Sequence, residues 1–254
     1  RQVAAGCALA PMIFLFTDFG ADDVYVGQVH ARLRRELAHA NVLVIDLLHA
    51  APVFDVPASA HLLAALSSQI GAGDVCMAVV DPGVGGARDA VAVRADRRWY
   101  VGPDNGMLSV VAARAHAAEV FRIVWRPEVL SVSFHGRDLF APVAAQLANG
   151  DLRALAPKAR LEVEFGGADL AQIIYIDHYG NAMTGLRAES LKDVSAVGVA
   201  GHTIAYAPVF VEAVSKPLFW YRNSLGLLEI AVFEGSAAER FGLRVGDPIS
   251  VSMR

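Results

Sequence analysis

The sequence predicts an α/β protein with two domains: a mainly parallel sheet flanked by helices, then a smaller all-β domain. Three observations carry this. Short apolar runs alternate with segments of helical periodicity through the first 150 or so residues, the pattern of a parallel sheet with crossover helices. Several of those runs stop abruptly in polar, Gly- or Asp-bearing loops. After about residue 160 the chain changes to strand-like stretches separated by turns, with one short helical piece. Of the 254 residues, 55% are hydrophobic, enough for a sizeable core.

"IFLF" (13–16) is a buried strand ending in "TDFG". "VYVGQVHARLRRELAHA" has helical period, and "NVLVIDLL" is expected to be a second buried strand. "VPASAHLLAALSSQI" is a helix, followed by the strand "DVCMAVV", which breaks into "DPGVGG". "DAVAVRAD" and "RWYVGP" read as strands around a short turn, and "GMLSVVAARAH" as a helix. "DLFAPVAAQLANG" is a helix closed by Gly150, with Asp138 as its N-cap and Arg137 as a turn partner. "GDLRALAPKAR" is the expected connection, giving domains over 12–158 and 159–254. In the second domain "AQIIYIDHYGN", "AVGVAGHTIAYA", "PLFWYRNSLGLLEIAVF" and "DPISVSMR" are strand-like, and "SAAERFG" is the short helix.

The bulk numbers exclude several classes. A net charge of −4 with no basic tract beyond "RLRRE" argues against nucleic acid. No apolar run approaches the ~20 residues that span a bilayer, so no membrane partner is expected. Two cysteines, Cys7 and Cys76, are too few for a disulfide framework or a zinc site, and a cytoplasmic protein is the default. Residues 1–11 look briefly like a signal peptide but run without a cleavage site into the first strand; they read as an extension outside the fold.

Three polar loops fall where parallel sheets bind ligands, beyond the carboxyl ends of strands. Asp18 could accept two hydrogen bonds from a ribose diol, or could close an Asx turn or cap a helix. In "VVDPGVGGARDAV" the glycines permit close approach of backbone to a ligand, and Arg88 can fold back to Asp81; on the residues alone a structural ion pair is the more economical reading. No Gly-Lys-Ser/Thr follows, so it is not a phosphate loop. His135 in "FHGRD" stands apart from His30, His39, His61 and His116, which sit in helical patterns. It is a candidate general base or proton carrier; with no second His or Cys at ligand spacing, no metal is expected. Asp177, Tyr179 and Asn181 in "YIDHYGN", and Asn223 and Ser224 in "WYRNSLG", are individually no more than turn residues.

Taken in order, "TDFG", "PVFDV", "VVDPGVG", "VGPDNGMLS", "FHGRDLFAPVAAQLA", "IDHYGN" and "NSLGLLEIA" resemble the S-adenosyl-L-methionine (SAM) hydroxide adenosyltransferases, or SAM hydrolases, relatives of the fluorinase and chlorinase. The resemblance runs from about residue 12 to the C-terminus. It implies a C-terminal domain that is barrel-like, and a homotrimer whose active site lies between the N-domain of one subunit and the C-domain of the next. It implies a reaction without metal or other cofactor, in which SAM is the substrate and adenosine and L-methionine are the products. Asp81, Arg88 and His135 match the set credited with holding and polarising the attacking water. Asp18 matches the ribose-diol acceptor, and Phe54 an aromatic near the sugar and methionine. Asp177 and Ser224 match positions binding the methionine amine and carboxylate; Tyr179 and Asn181 match residues contacting adenine. Where the fluorinase carries Tyr, Tyr and Ser, this chain has Asp81, His135 and Gly136, which disfavours a halide nucleophile. Leu225 departs from the Arg that follows Ser in the fluorinase, which leaves the methionine carboxylate with one donor fewer. A SAM-dependent halogenase and a non-catalytic adenosine- or SAM-binding protein are the alternatives.

Overall fold

A computed structural model describes residues 10–191 and 194–253. Residues 1–9 of the expected extension lie outside this range. The first sheet holds β1 (Met12–Thr17), β2 (Leu43–Leu48), β3 (Val75–Val79), β4 (Ala90–Ala95), β5 (Arg98–Pro103), β6 (Ala118–Ile123) and β7 (Leu155–Lys158). Their order is β2-β1-β3-β5-β4-β6-β7. The first four in that order are parallel; β4, β6 and β7 add on antiparallel.

Side-chain alternation in β1 builds two cores at once. Ile13 and Leu15 pack with α1 (Val24–Glu36) and, further along the chain, α4 (Ala141–Ala148). Phe14 and Phe16 face the other way, against α2 (Val56–Leu66) and α3 (Ser109–Arg114). Asp55 caps α2, its carboxylate accepting from the Ala58 N–H at 3.0 Å. Gly150 takes a left-handed φ of 76° just past α4, as its place in the sequence predicts.

Two expectations are corrected. β2 is an edge strand with Leu43 and Ile45 exposed, not a buried one: an apolar run reports composition, and only its place in the sheet decides burial. The expected connection "GDLRALAPKAR" contains β7. Pro157 is tolerated there because β7 is the other edge, where one side of the strand needs no ladder partner.

The second sheet holds β8 (Leu170–Ile176), β9 (Ala182–Arg187), β10 (Val194–Val199), β11 (His202–Tyr206), β12 (Phe219–Arg222), β13 (Leu227–Ala231) and β14 (Ile249–Met253), in the order β14-β10-β11-β12-β13-β9-β8. Its ends approach each other: Ile173 N–H donates to Asp247 O at 2.9 Å and Gly246 N–H to Ile173 O at 2.8 Å. The sheet is thus nearly a barrel. The short helix α5 (Ala237–Phe241) is capped by Ser236 and stopped by left-handed Gly242. The two sheets share apolar contacts, since Leu161, Ile174 and Leu227 belong to the same core as α2 and α3.

Candidate active site

The chain leaves β1 for β2 on one side and places β3 on the other. That reversal opens a crevice at the carboxyl ends of β1 and β3, the usual ligand position in such sheets. Asp18 follows β1 and Asp81 follows β3. The third wall is a wide π turn, Gly136–Phe140, preceded by His135 and running into α4. Such turns widen a helix by one residue and are frequent at functional sites. Asp138 therefore lies inside the turn and is not the N-cap of α4. Its carboxylate accepts from Arg137 Nε at 2.6 Å, Arg137 Nη2 at 2.8 Å and the Ser131 N–H at 3.0 Å, which pins the preceding loop.

The three loops are interlocked. A Cβ on Gly85, whose φ is 79°, would meet the Val132 carbonyl oxygen at 2.3 Å, so only glycine allows this approach. A Cβ on Gly136 would meet the Phe19 ring at 2.8 Å. Phe19 and Tyr25 both stack edge-on against Phe134, at 5.6 and 5.3 Å between centroids.

Arg88 ties the polar side chains together. Its Nε donates to Asp81 Oδ1 at 3.1 Å, its Nη2 donates to Asp81 Oδ2, and the same Nη2 lies 3.1 Å from His135 Nδ1. Guanidinium has donors only, so Nδ1 is the acceptor and the neutral ring carries its hydrogen on Nε2. Burial, then the charge of Arg88, push the His135 pKa down, which keeps the ring neutral. The Asp81 and Arg88 side chains are only 4% and 12% exposed. Desolvating such a pair costs several kcal/mol per ion, so its contribution is position more than stability.

Asp18 is joined to Phe54, whose N–H reaches Asp18 Oδ2 at 3.3 Å. Burial pushes the Asp18 pKa up, and the nearby charge of Asp81 adds to the rise. Phe54 is 71% exposed and holds a left-handed φ of 61°. An aromatic ring presented to solvent in that strained conformation is a mark of a binding site.

The remaining four candidates meet in the second domain. Asp177, Tyr179, Asn181 and Ser224 line one cleft of about 700 Å³, with Tyr221 and Glu229. The volume suits a nucleoside-sized ligand. Asp177 closes the turn: Oδ1 accepts from the N–H groups of Tyr179 at 2.9 Å and Asn181 at 2.8 Å, and Oδ2 from Asn181 Nδ2 at 3.1 Å. Tyr179 is exposed and Asn181 buried. No residue of the Asp18–Asp81–Arg88–His135 group is among those lining this cleft.

Comparison with known proteins now decides the family. Residues 13–156 match the SAM hydroxide adenosyltransferase N-terminal domain and residues 171–250 the SAM hydroxide adenosyltransferase C-terminal domain. The chain belongs to the SAM hydroxide adenosyltransferase family. Among its relatives, a Thermus thermophilus protein named (R)-S-adenosyl-L-methionine hydrolase is 36% identical, over 95% of this chain and 99% of its own length. A Salinispora arenicola protein of the same name is also 36% identical, over 96% and 99%. Of solved structures, an uncharacterized conserved protein from Thermotoga maritima superposes with a TM-score of 0.83 at 31% identity, covering 95% of this chain and 100% of that one. A conserved hypothetical protein from Thermus thermophilus gives 0.76 at 34%, with the same coverage.

In this adenosyltransferase the structure adds one residue to the candidates read from sequence. Glu229 on β13 is 2% exposed, accepting from Tyr221 Oη at 2.5 Å and from Asn223 Nδ2 at 2.6 Å. Asn223 Oδ1 in turn accepts from the N–H groups of Leu225 and Leu227, which sets the loop carrying Ser224. Burial pushes the Glu229 pKa up. A lone acid inside the apolar run "LLEIA" was the available signal, since a buried carboxylate needs partners.

Proposed function

We propose that this chain hydrolyses (R)-S-adenosyl-L-methionine to adenosine and L-methionine. The observation that carries the reading is the buried bridge in which Arg88 holds Asp81, seven residues before it, and His135, 47 residues after it. The names of the full-length relatives supply the substrate.

Water oxygen attacks the ribose C5′ from the side opposite sulfur. The C5′–O bond forms as the C5′–S bond breaks, and that electron pair leaves on sulfur. Methionine departs as a neutral thioether, so no general acid is required. One water proton passes to Asp81 and from there to solvent. Asp81 is the acceptor because His135 Nδ1 is occupied by Arg88 and its Nε2 carries a hydrogen. His135 therefore donates to the water oxygen and holds it in line, a positioning part where the sequence offers a general base or proton carrier. Alignment of this kind is worth roughly 7–11 kcal/mol, and proton acceptance about 10² to 10⁴ in rate. Asp18 receives the ribose hydroxyls and Phe54 covers the sugar and methionine. Asp177 and Ser224 hold the methionine amine and carboxylate, and Tyr179 and Asn181 the adenine. The negative charge of Asp81 beside the nucleophile repels halide.

We place the complete site between copies of the chain. Among the described residues, those lining the cleft around Asp177 include none from the loops around Asp81. A head-to-tail contact that sets the cleft of one copy on the loops of the next closes into a ring, and three copies make the homotrimer the family resemblance implies. A free, buried Cys76 suits a reducing, cytoplasmic setting. Among the described residues no helix is long and apolar enough to cross a membrane.

The test is chromatography of purified protein incubated with (R)-SAM. Adenosine and methionine in equal amounts are expected. Folded protein that leaves SAM intact, or that yields 5′-halo-5′-deoxyadenosine in chloride or fluoride, overturns the reading.

A further inference from the structure

We infer that His30, Asp46 and His49 form a binding site for one divalent transition-metal ion of the zinc, cobalt or nickel class, separate from the residues that hold the water. His30 projects from α1, Asp46 from the edge strand β2, and His49 follows β2 directly. His30 Nε2 lies 2.7 Å and His49 Nε2 3.0 Å from the same atom, Asp46 Oδ1, and all three lie within 4.8 Å of one another. Ligand atoms ~2.1 Å from one ion stand about 3.0 Å apart at right angles and about 3.4 Å apart at the tetrahedral angle, so rotations that open these contacts by a few tenths of an ångström close the three side chains on a metal. Two imidazoles and one carboxylate select a borderline ion over magnesium or calcium.

The state of His49 separates this from an ordinary hydrogen-bonded cluster. The residue is only 7% exposed, and although its Nε2 lies 3.0 Å from Asp46 Oδ1, it has no well-aligned hydrogen bond among the described residues. Its Nδ1 lies 2.8 Å from Thr17 Oγ1. Donation from Nδ1 to that hydroxyl leaves the Nε2 lone pair aimed at the cluster, the arrangement by which metal-binding histidines are oriented. His30 and Asp46 are partly exposed, which leaves open positions for water ligands. The other acidic cluster of comparable size, Asp89, Asp104 and Glu162, already contains a cation: Lys158 Nζ lies 2.9, 3.3 and 3.1 Å from them. Among the described residues no Lys or Arg pairs with Asp46 in the His30 cluster, whose contacts to it come from the two imidazoles. Thr17 immediately precedes Asp18, and the Gly20 N–H donates to the His49 carbonyl oxygen at 2.7 Å. An ion here braces the loop that carries Asp18.

The experiment is titration of untagged, chelator-treated protein with Co²⁺, followed by its visible absorption and by calorimetry. One equivalent per chain is expected, with no competition from a hundredfold excess of Mg²⁺. His30→Gln, on the partly exposed face of α1, is expected to weaken binding at least tenfold while leaving the circular dichroism unchanged. Asp46→Asn is expected to do the same, and if it fails to fold the His30 variant decides. Co²⁺ should also raise the Tm of the parent protein and not that of His30→Gln. No saturable binding, or equal affinity in parent and His30→Gln, overturns the site.

Discussion

The two halves of the candidate site are built on opposite plans. Around Asp81 the polar side chains are buried and committed to one another, through Arg88, with Gly85 set against the Val132 backbone where no side chain fits and Gly136 packed close against the Phe19 ring. Around Asp177 they line an open cleft; the turn is closed by its own carboxylate, and Tyr179 points to solvent. The first half is organised by its own chain and suits a step that needs fixed geometry. The second is an unfinished surface and suits recognition once something covers it.

That contrast can be broken by experiment. The largest effect is expected from Asp81→Asn, which removes the proton acceptor but keeps its shape: turnover should fall by about 10² to 10⁴, with KM nearly unchanged. Loss below threefold, measured by adenosine release, would move the acceptor elsewhere. Mixing Asp81→Asn with Asp177→Ala chains sharpens the comparison further. If each site is assembled from two copies, mixed oligomers should regain activity at some interfaces, and two inactive pools that stay inactive after subunit exchange would place both halves in one chain.

His135→Gln should cost about 10² in turnover, the usual loss for one positioned donor. In the parent enzyme, protonation of His135 would expel the Arg88 donor from Nδ1. Because its pKa is lowered from 6.5, activity should hold through pH 6.5 and fall only at more acid pH. An acid limb centred above 6.5 contradicts this assignment. Tyr179→Ala should do least, raising KM several-fold while leaving turnover intact, because an exposed ring contributes contact and not chemistry.

The junction between the halves gives a separate test. His61 on α2 is 5% exposed and neither ring nitrogen has a hydrogen-bond partner among the described residues. Burial, and then the charge of Arg114, push its pKa down to about 4. The folded state thus binds fewer protons than the unfolded chain between pH 6.5 and 4, so stability from this residue is full above 6.5 and is lost as pH falls through that window. His61→Leu should flatten the fall in Tm from pH 7 to 4 by several degrees. An unchanged slope would assign acid sensitivity to other groups.

Much of the first half was legible in the sequence, because buried strands and their terminal loops write themselves as apolar runs ending in "TDFG" and "DPGVGG". Edges were not. Exposed β2 (LVIDLL) differs from buried β3 (VCMAV) by a single charged residue, Asp46, and the short β7 lies inside a segment that reads as a linker. The convergence of Asp81, Arg88 and His135 came from the family resemblance, since local spacing alone favoured a structural ion pair. The direction of the hydrogen bond to His135 came only from geometry, and it is the ground on which Asp81 is proposed as the proton acceptor. Glu229 went unnoticed because its partners, Tyr221 and Asn223, mean little until β12 and β13 are laid side by side.

The π turn at Gly136–Phe140 makes the enzyme sensitive to a change of length. It holds one residue more than a regular helical turn, and deleting one would let α4 continue backward as ordinary α-helix. The backbone upstream would then be re-phased by about 100°, carrying the imidazole off the Arg88 fork while the apolar face of α4 stayed in register. A single lost codon could therefore turn a hydrolase into a stable, inert binder of the same nucleoside.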